Sequence, residues 1–350
     1  MKQENVKVII WGLGAMGKGM AEMLLDKTGI EITGAVGRGD KLGKSMFAYL
    51  DKPNPYGHDV IIGTPEEVIT EQAADVLLLC TDSYTRDAFD KIKLILEQKI
   101  NVISTAEEMA YPKAQEPELT KELDRIAKAN GVSVLGTGIN PGLIMDLLVV
   151  CLTGACVSVD SVEAKRVNNL SPFGPVVMHE QGVGITMAEF EERSSTGKLA
   201  GHVGFSESVN MIADALGWKL SDKVSQSMSP IISKVDRKAP FAEVKTGNMA
   251  GVDMRGQGKV DGVVKINMIH PQQVEPQLEG VNTGDYIKIK GVPDINMSIT
   301  PEVPGGIGTI AMCVNMIPHI INAKPGLRTM LDLPVPRAMM GDIRDLIEVD

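Results

Sequence analysis

Unbroken apolar runs alternate with stretches of helical period through the first 140 residues. "VKVIIWG" is almost wholly apolar, as in a strand covered on both faces. "GKGMAEMLLDKTG" changes to a helical period and stops at Gly29, a suitable C-terminal cap. Strand "IEITGAVGR" follows, then helix "GTPEEVITEQA", with Thr64 as N-cap and Pro65 in the first turn. Strand "ADVLLLCT", helix "SYTRDAFDKIKLILEQK", strand "INVIST", helix "EPELTKELDRIAKANG" and strand "VSVLGTG" complete the series. This rhythm predicts a doubly wound parallel α/β sheet.

The period then changes. "DSVEAKRVNNL" reads as a strand and "FSESVNMIADALGW" as a helix. Between about 230 and 300, alternating stretches such as "AEVKTG", "VVKINMI" and "DYIKIKG" predict a mixed or antiparallel sheet. Helical character returns in "PGGIGTIAMCVNMIPHII". The expected organisation is a dinucleotide-binding domain over 1–140 and an α+β domain for substrate binding and oligomerisation over 141–303. A helical segment over 304–350 then packs back on the first domain.

Composition narrows the function classes. Hydrophobic residues make up 43% of the chain and mean hydropathy is +0.03, so two cores can be filled. A net charge of −10 and no Lys/Arg-rich stretch argue against a nucleic-acid or anionic-membrane partner. No apolar run reaches the roughly 18 residues of a membrane span. The polar "MKQENVK" runs straight into a strand, unlike a secretory signal. Cys80, Cys151, Cys156 and Cys313 form no C-x-x-C pair, and no His stands at zinc-ligand spacing. Buried free thiols, a reducing cytoplasm and no metal are therefore expected.

Gly12-x-Gly14-x-x-Gly17 follows the first strand and opens a helix, the setting of the Rossmann dinucleotide fingerprint. The first glycine permits the turn, the second admits the pyrophosphate and the third lets helix pack on strand. Leu13, Ala15 and Met16 between them share the cofactor contact. An NAD site commonly carries an acid at the end of the second strand; here stand Gly37 and Arg38. Arg38 can hold a 2′-phosphate, which favours NADP, although Asp40 leaves NAD open. Thr81 and Ser83, in "CTDSYT" after the fourth strand, either meet the cofactor or cap the next helix.

Glu107 and Glu108, in "NVISTAEEMAYP", follow the fifth strand. Two carboxylates beside the nicotinamide position make a general-base site, or alternatively a solvated helix start. Asn140, in "GTGINPGLIMD", stands at the predicted domain junction as a substrate or nicotinamide contact, or as part of a structural turn. His58, His179, His202, His270 and His319 are isolated in sequence. Arg166 is either a carboxylate ligand or a salt-bridge partner, and Thr309, in "PGGIGTIA", lines a cleft or packs a helix.

"VIIWGLGAMGKGM", "NVISTAEEM", "GTGINPGLIMD", "GHVGFSES", "GDYIKIKG" and "PGGIGTIA" together resemble the 2,4-diaminopentanoate dehydrogenase family, along nearly the whole chain. The nucleotide domain resembles the wider group of dihydrodipicolinate reductases, homoserine dehydrogenases and native amine dehydrogenases. The resemblance implies NAD(P)-dependent oxidation of 2,4-diaminopentanoate at carbon 4 to 2-amino-4-oxopentanoate and ammonia, in ornithine degradation. It implies a homodimer and a glutamate acid–base residue after the fifth strand. Laying the homoserine dehydrogenase T-A-N-K on Thr105-Ala106-Glu107-Glu108 sets the lysine opposite Glu108, which is preferred, with Glu107 second. Arg166, Asn168, His202, His270 and Thr309 are nominated for the diamino acid substrate. Gly37 departs from the acid common in the family. The competing readings are a cyclic-imine reductase, whose His-rich, Lys-containing motif is missing, and a non-catalytic NADPH-sensing regulator.

Overall fold

The apolar runs become strands of one parallel sheet, and the helical stretches cross over it. The computed structural model describes residues 2–199 and 201–348. The chain forms two units, residues 1–142 with 306–350 and residues 143–305.

In chain order the first unit contributes β1 (Val6–Trp11), α1 (Ala15–Leu24), β2 (Ile30–Val36), β3 (Ile62–Gly63), α2 (Pro65–Val68), β4 (Val76–Leu79), α3 (Thr85–Glu97), β5 (Asn101–Ser104), α4 (Pro117–Asn130) and β6 (Ser133–Gly136). The second unit contributes α5 (Leu147–Thr153), β7 (Ser158–Asn169), α6 (Pro175–Glu180), α7 (Met187–Ser195), α8 (Phe205–Ala215), β8 (Ser225–Ile232), β9 (Arg237–Ala239), β10 (Ala242–Val244), β11 (Met249–Val260), β12 (Val263–Gln273), β13 (Gly284–Val292) and β14 (Ile295–Ile299). The chain then supplies α9 (Gly305–Asn315), α10 (Ile317–Ile321) and β15 (Gly326–Arg328).

The first sheet runs β15-β6-β5-β4-β1-β2-β3, with every pairing parallel. The chain moves outward from β1 to β3 and resumes at β4 on the other side, so the switch point lies between β1 and β4. β4 is buried at all four positions. α3 buries Ala88, Ile92, Ile95 and Leu96, one face of a 3.6-residue period. The helix expected from "GTPEEVITEQA" is a single turn. Thr64 and Glu67 form a capping box around it, and Gln72 then turns away at φ 55° to donate its backbone N–H to Gln98.

The second sheet is mixed, ordered β14-β13-β7-β12-β11-β8, with β7 and β12 parallel and the other pairs antiparallel. α8 covers one face of it. A Cβ at Gly256 would stand 2.5 Å from the Phe205 ring, and one at Gly258 2.6 Å from Val209, so these glycines seat the helix. β8, β11, α6 and α7 were not anticipated. β11 carries Gly251, Gly256 and Gly258 among charged residues, a poor intrinsic strand former whose glycines serve packing.

All four cysteines are free. Cys313 is buried, but Cys151 is exposed because α5 buries Leu147, Val149 and Thr153 instead. This corrects the expectation of four buried thiols. Burial pushes the Cys80 thiol up to about 12 and raises that of Cys313.

Arg166 is buried in β7 and takes the salt-bridge alternative. Its guanidinium donates to Asp285 of β13 and to the Val303 carbonyl, and Asp285 accepts the Val303 N–H at 2.9 Å. Burial pushes the Asp285 carboxyl up against the downward pull of Arg166, so the pair ties strands together more than it adds net stability. Removing one partner strands the other. Asp285→Asn is expected to lower unfolding free energy by about 3–5 kcal/mol, read from the denaturant midpoint. An unchanged midpoint would contradict the connecting role.

Candidate active site

The carboxyl ends of β1, β4, β5 and β6 lie along one edge of the first sheet, beside its switch point. Ligands of open α/β sheets bind at such an edge. At the end of β1, Gly12 has φ +99°, and its N–H donates to Val36 at the end of β2. A Cβ there would stand 2.8 Å from the Thr81 methyl, and one at Gly17 only 1.9 Å from the Gly12 carbonyl oxygen. Gly14 differs, because an added Cβ would meet nothing within 4 Å. Gly14 is the N-cap of α1 with no side-chain capping bond, and Gly14 and Ala15 are exposed. Two glycines therefore close the turn, and the middle one keeps space clear before an uncapped helix start. That cradle fits a dinucleotide pyrophosphate.

At the end of β2, a Cβ on Gly37 would lie 2.6 Å from the Ile62 side chain, which leaves poor room for an acid. Arg38 and Asp40 are exposed. Lys41 donates to the Leu13 carbonyl at 2.6 Å and lies 4.9 Å from the Tyr49 ring centroid. This brings a second cation to the glycine turn. Lys41 was missed because it follows the strand by five residues, inside an irregular stretch.

At the end of β4, Thr81 touches the glycine turn through its methyl, and its hydroxyl donates to Asp82 at 2.5 Å. The Ser83 carbonyl accepts the Glu108 N–H at 3.1 Å. Glu108 is buried; its carboxylate accepts the Thr85 N–H at 2.8 Å and the Gln115 amide at 3.1 Å. Both oxygens thus hold the start of α3 and the segment before α4. Glu108, the acid preferred from sequence, thus has both carboxylate oxygens engaged at the helix start. Glu107 is half-buried, with Oε2 out of solvent. The turn carrying both acids lies against β6, where a Cβ on Gly136 would stand 2.1 Å from the Met109 carbonyl carbon.

After β6, the Ile139 N–H donates to the Thr309 hydroxyl at 3.2 Å, next to a cis Asn140–Pro141 bond. Thr309 lies on α9. A Cβ on Gly308 would stand 2.7 Å from Ile139, and one on Gly19 of α1 would stand 2.2 Å from Ile310. "PGGIGTIA" thus braces the 136–142 turn and α1. Thr309 belongs to the first unit, with Asn140.

The remaining four meet in the second unit. Register places Gly256, Met268, Ala164 and Ile287 in one row across the sheet under α8. The next positions along the same face are polar on β12, β7 and β13: His270, opposite Met254 of β11, and Arg166 opposite Asp285, then Gln272 beside Asn168. The His202 ring stands edge-on to His270, with centroids 4.8 Å apart, so these two histidines are not isolated. Burial, with the nearby Arg166 charge, lowers the half-buried His202 to about 4 and drives His270 well below its ordinary value. Both rings are neutral near pH 7. Gln181 joins the group, accepting from Gln272 at 3.4 Å and donating to the Gly201 carbonyl at 2.7 Å. The polar alternates of "NMIHPQQ" were the available signal for Gln272; Gln181 lies in a turn and gave none.

Residues 143–349 match the family model of the 2,4-diaminopentanoate dehydrogenase C-terminal domain. A 2,4-diaminopentanoate dehydrogenase of Acetoanaerobium sticklandii is 68% identical over 344 residues, covering 98% of each chain. An amine dehydrogenase of Streptomyces virginiae is 22% identical over 240 residues, 64% of this chain and 66% of that one. The structure of amine dehydrogenase from Mycobacterium smegmatis superposes with a TM-score of 0.84 at 26% identity, covering 97% of this chain and 99% of that chain. These relatives make it an oxidoreductase acting on CH–NH2 with a nicotinamide cofactor, and the chain belongs to the 2,4-diaminopentanoate dehydrogenase family.

Proposed function

We propose that the protein oxidises 2,4-diaminopentanoate at carbon 4, yielding 2-amino-4-oxopentanoate, ammonia and reduced cofactor, reversibly. The carrying observation is the 68% identity to a 2,4-diaminopentanoate dehydrogenase over 98% of both chains. It favours this reading over a cyclic-imine reductase or a nucleotide-sensing regulator. The family resemblance further supports a homodimer, and four free cysteines accord with the cytoplasm.

The reaction needs a proton acceptor before hydride can leave. The 4-ammonium has no lone pair; once deprotonated, nitrogen supplies the pair that forms the C=N bond. The bound nicotinamide supplies the hydride acceptor. Glu107 takes the ammonium proton and passes it to solvent, and the regenerated carboxylate faces the iminium that hydride loss leaves. It then removes a proton from the attacking water and returns it to the carbinolamine nitrogen, which departs as ammonia as the hydroxyl proton is lost to solvent and the ketone forms. Glu108 is a positioning residue that holds the turn through Thr85 and Gln115.

NADP is the proposed preferred cofactor, with NAD accepted. Support comes from Arg38, from Lys41 beside Leu13, and from the crowding that an acid at position 37 would meet against Ile62. Gly12, Gly14 and Gly17, with Leu13, Ala15 and Met16, hold the pyrophosphate. Thr81, Ser83 and Asn140 border the same edge.

Glu107→Gln is expected to lower kcat by roughly 100- to 10,000-fold with NADP+ affinity unchanged. Glu108→Gln is expected to keep much more activity while losing about 1 kcal/mol of stability at the start of α3. The reverse ranking in steady-state kinetics would return the acid–base role to Glu108. Arg38→Ala and Lys41→Ala should each reduce the NADP+/NAD+ ratio of kcat/KM about tenfold or more. An unchanged ratio would remove that residue from 2′-phosphate recognition. Gly14→Ala should weaken both cofactors in a fluorescence titration without moving the melting temperature; equal affinity would place the pyrophosphate elsewhere.

A further inference from the structure

The loop after β4 holds an acid where an anionic cofactor has to be received. Asp82 follows Thr81, whose methyl would stand 2.8 Å from a Cβ on Gly12, and the Asp82 side chain is only 10% exposed. A carboxylate enclosed beside the glycine turn repels a pyrophosphate, and its partial burial weakens screening by solvent ions. Residues 80–84 read Cys-Thr-Asp-Ser-Tyr, so the loop itself carries no cation to offset it.

The offsetting charge comes from α3. Lys91 donates to the two Asp82 oxygens at 2.6 and 2.8 Å, and to the Thr81 hydroxyl at 3.3 Å. An ammonium has three N–H groups, so these contacts use all of them and leave none to clamp a phosphate. The Thr81 hydroxyl donates in turn to Asp82 at 2.5 Å. It is thus held between an acid and a cation, and the stiff threonine χ1 then keeps the methyl towards Gly12. An exposed ion pair would contribute little, but this one encloses its acid and closes a three-membered ring of side chains at the cofactor edge.

We propose that Lys91 is a positioning residue for the nicotinamide cofactor. It neutralises Asp82, so that the β4 edge admits the pyrophosphate, and it holds Thr81 with its methyl against the Gly12 turn. This rests on the reading that the glycine turn seats the pyrophosphate. The pyrophosphate is common to NAD and NADP, so Lys91 acts on both, unlike Arg38 and Lys41.

Fluorescence titration of the full chain with NADPH and with NADH tests this. Lys91→Met leaves the Asp82 charge unmatched. It should weaken both cofactors about tenfold without changing their ratio, and with a smaller change in kcat at saturating cofactor. Asp82→Asn keeps an acceptor for Thr81 and carries no charge, so alone it should bind both cofactors at least as tightly as wild type. Adding Asp82→Asn to Lys91→Met should bring affinity back to within about threefold of wild type, a recovery that lost packing would not give. Unchanged affinity in Lys91→Met would overturn the proposal. So would a double variant as weak as Lys91→Met, or tenfold weaker binding by Asp82→Asn alone. Gly14→Ala separates this from the reading beneath it. If Gly14→Ala weakens both cofactors and Lys91→Met does not, the role of Lys91 alone fails. If Gly14→Ala binds both as wild type does, the placement of the pyrophosphate fails.

Discussion

The carboxylate of Glu108 fixes the geometry on which the catalytic reading depends. By accepting from the Thr85 N–H and the Gln115 amide, it ties the turn after β5 to the helix after β4 and to the segment before α4. Its own N–H returns a bond to Ser83. A negative charge at a helix start is favourable, so the tie costs little electrostatically. Gly136 lets the same turn lie against β6. Glu107, the adjacent acid, is carried on the same turn at the carboxyl edge. Two neighbouring acids thus divide the work: one orders the backbone, and the other is proposed to move protons.

The second unit works by a different device. Its sheet face begins apolar under α8 and turns polar two residues further along β7, β12 and β13, where Arg166 and Asp285 are enclosed together. The buried pair gives a rigid base on which a carbonyl can fix one imidazole tautomer. The apolar rows and the polar row come from one alternating strand pattern with a few substituted positions.

Much of the first unit was legible in sequence because its strands are buried on both faces. Apolar runs such as "VLLL" leave no other reading, and Gly12, Gly14 and Gly17 follow β1 as the fingerprint requires. The bonds of Glu108 to Thr85 and Gln115, on which the proposed division of roles rests, were not legible, because those residues approach only in the fold. Lys41 was hidden for the same reason. In the second unit β11 escaped because Gly256 and Gly258 lower its strand propensity while serving α8. Arg166, Asn168, His202 and His270 were named through a resemblance, yet their meeting on one sheet face depends on strand register, which pairwise sequence spacing does not encode.

The decisive measurement follows the nitrogen. 2,4-Diaminopentanoate labelled with 15N only at carbon 4 should, with NADP+ and the purified enzyme, release labelled ammonia in one-to-one ratio with reduced cofactor. The product should be 2-amino-4-oxopentanoate with unlabelled nitrogen. Unlabelled ammonia, or cofactor reduction with no ammonia, would contradict oxidation at carbon 4 and with it the proposed reaction.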